Sequence, residues 1–301
     1  MDRAQLPSVG MLAMEKHAWR NDQRSVSEDD SKHAALVAAA IDALESSGMR
    51  LMACGRSDRE ILQRTLIQLS VDELPDGEAL AAIDALLQWE LGQKSCTLAS
   101  QLPRCQLDSR LVLWRGDITT LVIDAIVNAA NEAGLGCFQP EHRCIDNVIH
   151  CAAGPELRRG CHEELLRLNV SKAGQNVLPT GQAMVTRAYN LPSKFIVHTP
   201  GPIGEKPSLL AQCYKSVLDS CRRENIRSVA FCCISTGLFG YPADKAAQVA
   251  LQTVRSWLDE DARTMPTPSI DFVVFNTFLQ SDYAIYSGLL GEIEPIPARD
   301  Q

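Results

Sequence analysis

Residues 116–154 read GDITTLVIDAIVNAANEAGLGCFQPEHRCIDNVIHCAAG, and the fold is decided here. The apolar run Leu111–Trp114 just before it has the length and composition of a buried strand. A second apolar run, Ala125-Ile126-Val127, leads into Asn128-Ala129-Ala130-Asn131. Open α/β sheets bind their ligands beyond the carboxyl ends of the strands, so amides placed there are candidate ligand contacts. Next comes a loop carrying Gly134, Gly136, Cys137, His142 and Cys144. An amphipathic pattern from Ile145 to Ala153 then predicts a helix.

Downstream, helical patterns over Pro155–Leu168, Ser208–Asn225, Ala243–Asp259 and Tyr283–Leu290 alternate with strand candidates at Ala183–Thr186, Phe195–Thr199, Ser228–Ile234 and Asp271–Phe278. This alternation predicts an α/β/α sandwich. Ser228–Ile234 is almost wholly apolar, which suits a central strand covered on both faces. Upstream the pattern changes. His33–Ser47 reads as a helix, Ser57-Asp58-Arg59-Glu60 as a capping box opening a second, and Leu80, Ile83, Leu86, Leu87 and Leu91 as the apolar face of a third. Three helices with no strand make a small bundle or cap. An irregular stretch around Pro103 divides a helical N-terminal domain or extension, residues 1–95, from an α/β domain, residues 104–295.

With 46% hydrophobic residues among 301, the chain has ample material for a packed core, which excludes general disorder. Its net charge of −8 removes the long-range attraction that drives nucleic-acid binding. Backbone amides and helix ends can still hold a small anion. Eleven cysteines, an odd count, stand in a chain whose Met1–Gly10 has no signal pattern. Reduced thiols and a cytoplasmic location are therefore expected. No apolar run is long enough to span a membrane.

Gly116-Asp117-Ile118-Thr119, Asp124–Asn131, Ile145–His150 with Ala152-Ala153-Gly154, and Ser235-Thr236-Gly237-Leu238-Phe239-Gly240-Tyr241-Pro242 occur in that order. Together they resemble the macrodomains, which bind ADP-ribose, over roughly the last two-thirds of the chain. The resemblance implies a three-layer α/β/α fold with a mixed central sheet. Hydrolytic macrodomains usually carry a plain glycine-rich loop after the asparagines. The presence of Cys137, His142 and Cys144 there is similar to the zinc-dependent subclass of macrodomain ADP-ribosylhydrolases. The same resemblance implies substrate contacts from Asp117 and Ile118, from Asn131, Gly134 and Gly136, from Ser235, Thr236, Gly237, Leu238, Phe239 and Gly240, and from Phe275 and Asn276. It also places Asp146 near the scissile ribose.

The residues themselves leave several choices open. C-x4-H-x-C supplies two thiolates and an imidazole, the donors zinc prefers, and three ligands leave the fourth tetrahedral position free, as in catalytic zinc. One zinc per chain is the expectation. The competing reading is a loop of reduced thiols in a cysteine-rich chain. Glycines after a strand let phosphate approach main-chain N–H groups near a helix end, although turns need glycine too. Asp117 reads as an adenine partner or as a cap, Asn128 as a turn-forming amide, and Phe275 as an adenine contact or a core residue. Asp146 shares a helix face with His150 and is either a direct catalyst together with Asn131 or an outer carboxylate orienting a zinc ligand. Two functions follow. One is a zinc-dependent hydrolase removing mono-ADP-ribose from protein side chains; the resemblance adds an acyl-linked Asp or Glu substrate, a sirtuin-class ADP-ribosyltransferase as partner and that enzyme's target carrier protein. The other is an ADP-ribose reader with structural zinc or none.

Overall fold

The computed structural model of the chain describes residues 28–291 except 53, 54 and 56. Residues 1–27 and 292–295, on which the signal-peptide reading and the outer limits of the two expected domains fall, lie outside the described residues.

Six strands form one sheet: β1 (Leu111–Arg115), β2 (Ala125–Ala130), β3 (Met184–Arg187), β4 (Phe195–Pro200), β5 (Ser228–Phe231) and β6 (Phe272–Thr277). Their spatial order is β1-β6-β5-β2-β4-β3. All neighbours are parallel except β3, which pairs antiparallel with β4 at the edge, so the sheet is mixed as expected. The central strands are buried on both faces, which is why they read as continuous apolar runs.

Strand alternation decides which side chain meets which helix layer. Asn128 of β2 is paired with His198 of β4, and both point toward α4 (Ile145–Ala153) and α5 (Pro155–Leu168). Phe231 of β5 is paired with Phe275 of β6, and both point to the opposite layer. There they meet Tyr214 of α6 (Pro207–Arg223) and Tyr286 of α8 (Gln280–Leu290), with α7 (Ala243–Thr264) packed beside them. Large buried rings on one face and a polar core on the other thus arise from a period of two.

The helices α1 (Glu28–Ser46), α2 (Asp58–Gln68) and α3 (Gly77–Gly92) pack among themselves. Val37, Leu44, Leu62, Ile83 and Leu86 form a core distinct from that of the sheet. Ser57 caps α2 by accepting from Glu60 N at 3.3 Å, as its sequence implies. The bundle is tied down by Asn190, which donates to Asp84 Oδ1 at 2.6 Å and accepts from Gln88 at 2.9 Å.

Candidate functional site

The loops leaving the carboxyl ends of β1, β2, β5 and β6 converge on one edge of the sheet, where parallel α/β sheets hold their ligands. After β2, Asn131 shapes the turn that follows. Its Oδ1 accepts from Gly134 N at 3.2 Å and its Nδ2 donates to Gly136 O at 3.0 Å. Gly136 has φ +89°, and a Cβ there would stand 3.0 Å from the His150 ring, so only glycine lets the loop lie this close to α4.

Beneath that loop Asp146, 4% exposed, is held by both asparagines. Asn128 Nδ2 donates to its Oδ1 at 2.7 Å, and Asn131 Nδ2 lies 3.4 Å from its Oδ2. Burial pushes its carboxyl up to about 6, against the lowering pull of the Asn128 bond and the Arg158 charge. Asn128 is therefore no turn residue, as its sequence suggested, but a buried partner of the carboxylate. It also stands 3.1 Å from His198 Nδ1. An amide nitrogen can only donate, so His198 Nδ1 accepts and Nε2 carries the proton, aimed at Thr186 Oγ1, 2.9 Å away.

His150, Cys161 and His198 bring their donor atoms within 4.8 Å of one another, a set that could hold a metal ion. The protonated Nε2 of His198, engaged with Thr186 and 3.6 Å from Cys161 Sγ, reads instead as part of a buried hydrogen-bond chain. Burial holds the His198 imidazole down to about 3 and His150 well below its usual range, so both are neutral. His150 Nε2 lies 3.5 Å from Asp146 Oδ1 without hydrogen-bond alignment, and a neutral ring makes no ion pair there.

Cys137, His142 and Cys144 stand above this network. Cys137 Sγ is 3.5 Å from His142 Nδ1, while Cys144 begins α4 and accepts from Asn147 N at 3.5 Å. The three donors are not all gathered within 4.8 Å, as the buried trio is. Asp146 makes no hydrogen bond to His142, so an outer role through that ligand finds no geometric support among the described residues. The loop is gripped instead by Asn147, whose Nδ2 donates to Gln139 O at 2.8 Å and His142 O at 2.9 Å.

After β5, Ser235 adopts φ +67° and its buried hydroxyl has no partner among the described residues. Within the turn, the N–H groups of Thr236, Gly240 and Tyr241 bond to Cys233, Gly237 and Ser235 carbonyls. Those of Gly237, Leu238 and Phe239 appear in no such bond among the described residues, and Leu238 is 69% exposed. Such a turn can accept an anion on its main chain.

The Macro domain family model matches residues 127–250. A protein-ADP-ribose hydrolase of Staphylococcus aureus (strain MRSA252) is 44% identical over 216 residues, covering 69% of this chain and 76% of that protein. One from Treponema medium is 39% identical over 241 residues, 77% and 88% of the two chains. The chain belongs to the macrodomain family. A Fusarium oxysporum relative described as a probable bifunctional ADP-ribose hydrolase/ADP-ribosyltransferase is 46% identical, but this macrodomain chain spans only 31% of its length. Among solved structures, a Trypanosoma brucei macrodomain in complex with ADP-ribose matches with a TM-score of 0.55 at 27% identity, covering 88% of this chain and 98% of its own. A mutant Oceanobacillus iheyensis macrodomain with ADPR matches with a TM-score of 0.51 at 38% identity, covering 59% of this chain and 90% of its own.

Two expected contacts of the macrodomain cleft need correction. Phe275 is 1% exposed and packs against the tilted ring of Tyr286 with ring centres 5.2 Å apart, so it is a core residue and faces no cleft. Asn276 is also buried and its Nδ2 donates to Gly116 O at 2.9 Å, joining the ends of β6 and β1. An aromatic at the open edge is Phe278, 73% exposed just past β6; the sequence reading counted it as the last residue of that strand and so gave it no contact. Asp117 acts as a cap, one of the two roles its sequence allows. Oδ1 caps the following turn, accepting from Thr119 N at 3.0 Å, while Oδ2 faces outward, 3.7 Å from Lys94 Nζ. Ile118 is buried beneath it.

Proposed function

We propose that this macrodomain protein is a zinc-dependent hydrolase that removes mono-ADP-ribose from modified protein side chains. The observation that carries the reading is the 3.5 Å approach of Cys137 Sγ and His142 Nδ1. It occurs on the loop between Asn131 and Asp146. Two donors on one tetrahedral zinc, with bonds of about 2.3 Å to sulfur and about 2.1 Å to nitrogen, stand about 3.6 Å apart. The pair fits. The Cys144 thiol is pushed up to about 11 by burial first, then by Cys137 and Asp146 beside it, against a lowering bond from Asn147. Crowded thiols of this kind ionise when a cation is there to meet them, so the donor chemistry fits as well. Cys137, His142 and Cys144 would hold the ion, one per chain. Bound there, zinc supplies Lewis-acid stabilisation of charge developing at the ribose linkage.

The chain's own residues do the rest. Asn128 and Asn131 fix the Asp146 carboxylate under the loop, where it orients the reacting ribose. The Ser235 hydroxyl and the amides of Gly237, Leu238 and Phe239 receive the diphosphate. The outward oxygen of Asp117 accepts from the adenine amino group and Phe278 lies against the ring. Likeness to the Staphylococcus aureus and Treponema medium hydrolases supports hydrolysis. The acyl linkage, the sirtuin-class transferase, its carrier protein and a cytoplasmic location rest on the sequence reading. All ten cysteines among the described residues are free. The test is release of free ADP-ribose from a mono-ADP-ribosylated protein. Release over many turnovers is expected. Tight ADP-ribose binding with no release, even with zinc added, would make the protein a reader instead.

A further inference from the structure

The N-terminal helices have no part in the reading above, yet α2 meets the metal loop at two points. The first runs through Arg158, a buried residue of α5. Its Nε donates to Leu135 O at 2.8 Å, just before Cys137. Its Nη1 donates to Leu66 O at 3.1 Å and to Leu69 O, and its Nη2 to Ile67 O at 3.0 Å. These three carbonyls end α2, where free C=O groups carry the negative end of the helix dipole. The same guanidinium lies 4.3 Å from the centre of the Phe138 ring, just after Cys137. One planar fork therefore grips the loop on both sides of Cys137 and anchors it to the end of α2. Lysine, a single point charge, cannot span those partners. The second point is an ion pair between Arg64 of α2 and Glu141, the neighbour of His142 in the loop.

We infer that α2 belongs to the working site: Arg158, as a positioning residue, and the Arg64–Glu141 pair hold the Cys137–Cys144 loop in the form that retains its metal. This gives the helical region a task, and it rests on the zinc reading proposed above. ADP-ribose affinity resides on the other loops and is independent of α2.

The experiment uses the full chain carrying Arg158→Lys, which keeps the charge and loses the fork. Three quantities are read: hydrogen exchange of amides 134–144, zinc affinity by chelator competition, and ADP-ribose affinity by calorimetry. Loop exchange should quicken at least tenfold and zinc affinity fall by about tenfold or more, the usual effect of losing an outer support of a metal site. ADP-ribose affinity should stay within about twofold of the parent. Unchanged loop exchange and zinc affinity in folded Arg158→Lys overturn the inference. Should that variant not fold, Arg64→Glu and Glu141→Arg decide: each should weaken zinc binding and speed loop exchange, and the double variant should restore both. Parental values in both single variants overturn the inference. If the parent protein itself takes up no zinc, the zinc reading fails on its own, and loop exchange alone still decides the clamp.

Discussion

Asn147→Ala isolates the support that the Cys137–Cys144 loop receives from α4. Asn147 is 5% exposed, and its Nδ2 holds two carbonyls of the loop, Gln139 O at 2.8 Å and His142 O at 2.9 Å. Each bond between uncharged groups contributes about 1 kcal/mol net. Gln139 and His142 are themselves exposed, so water can reach their carbonyls once the amide is gone, and no large burial penalty is added. The loss is therefore about 2 kcal/mol, charged against the metal-holding form of the loop. At about 1.4 kcal/mol per decade, zinc affinity should fall by roughly thirtyfold. Chelator competition measures this directly, and calorimetry with ADP-ribose provides the control, which should not move. Asn147→Asp should do no better than alanine, because a carboxylate offers the two carbonyls lone pairs in place of protons. Zinc affinity of the alanine variant within twofold of the parent would refute the reasoning.

Three further outcomes follow from the same geometry. Phe278→Ala should weaken ADP-ribose binding by about 1–3 kcal/mol in calorimetry with an unchanged melting temperature, whereas Phe275→Ala should cost about 3–5 kcal/mol of stability in urea denaturation. Gly237 has open space around its would-be Cβ and no positive φ, so Gly237→Val should fold normally and still lose ADP-ribose affinity as the side chain blocks the main chain. The neutral burial of His198 and His150 sets a pH dependence. The unfolded chain takes up protons below about pH 6.5 that these folded imidazoles refuse, so stability is complete above that pH and is lost below it. The slope is roughly 1.4 kcal/mol per pH unit for each ring, and Asp146, raised to about 6, offsets one of the two at lower pH. Urea midpoints at pH 7.5 and 5.5 test this, and equal values would place the imidazoles in contact with water.

Most of the architecture could be read along the chain, because buried strands are bounded apolar runs and their helices carry a 3.6-residue face. Departures occur where that signal is silent. The helix α7 continues past Asp259 to Thr264 through exposed polar residues, with Asp261 buried among them. The strand β5 stops at Phe231, since Cys232-Cys233-Ile234 are apolar but leave the ladder to build the Ser235 turn. In the site, the cysteine and histidine spacing was legible because it lies within one loop. Phe275 and Asn276 show the opposite limit. Alternation along a strand is visible in a sequence, but both parities of β6 are buried, and the residue at which the strand emerges at the open edge depends on packing far away in the chain. Asn147 and Arg158 look like ordinary polar residues on helices, and their partners at Gln139, His142, Leu66 and Leu69 are carbonyls that any residue carries. No residue type could have announced them.

Zinc held by the Cys137–Cys144 loop is the feature proposed to make this macrodomain a hydrolase. The most direct measurement follows ADP-ribose release from a mono-ADP-ribosylated protein by parent and Cys137→Ser chains, with zinc content determined on the same samples. The parent chain should carry close to one zinc, and Cys137→Ser should lose zinc and turnover together while retaining ADP-ribose affinity. Full turnover by zinc-free protein would contradict the proposal.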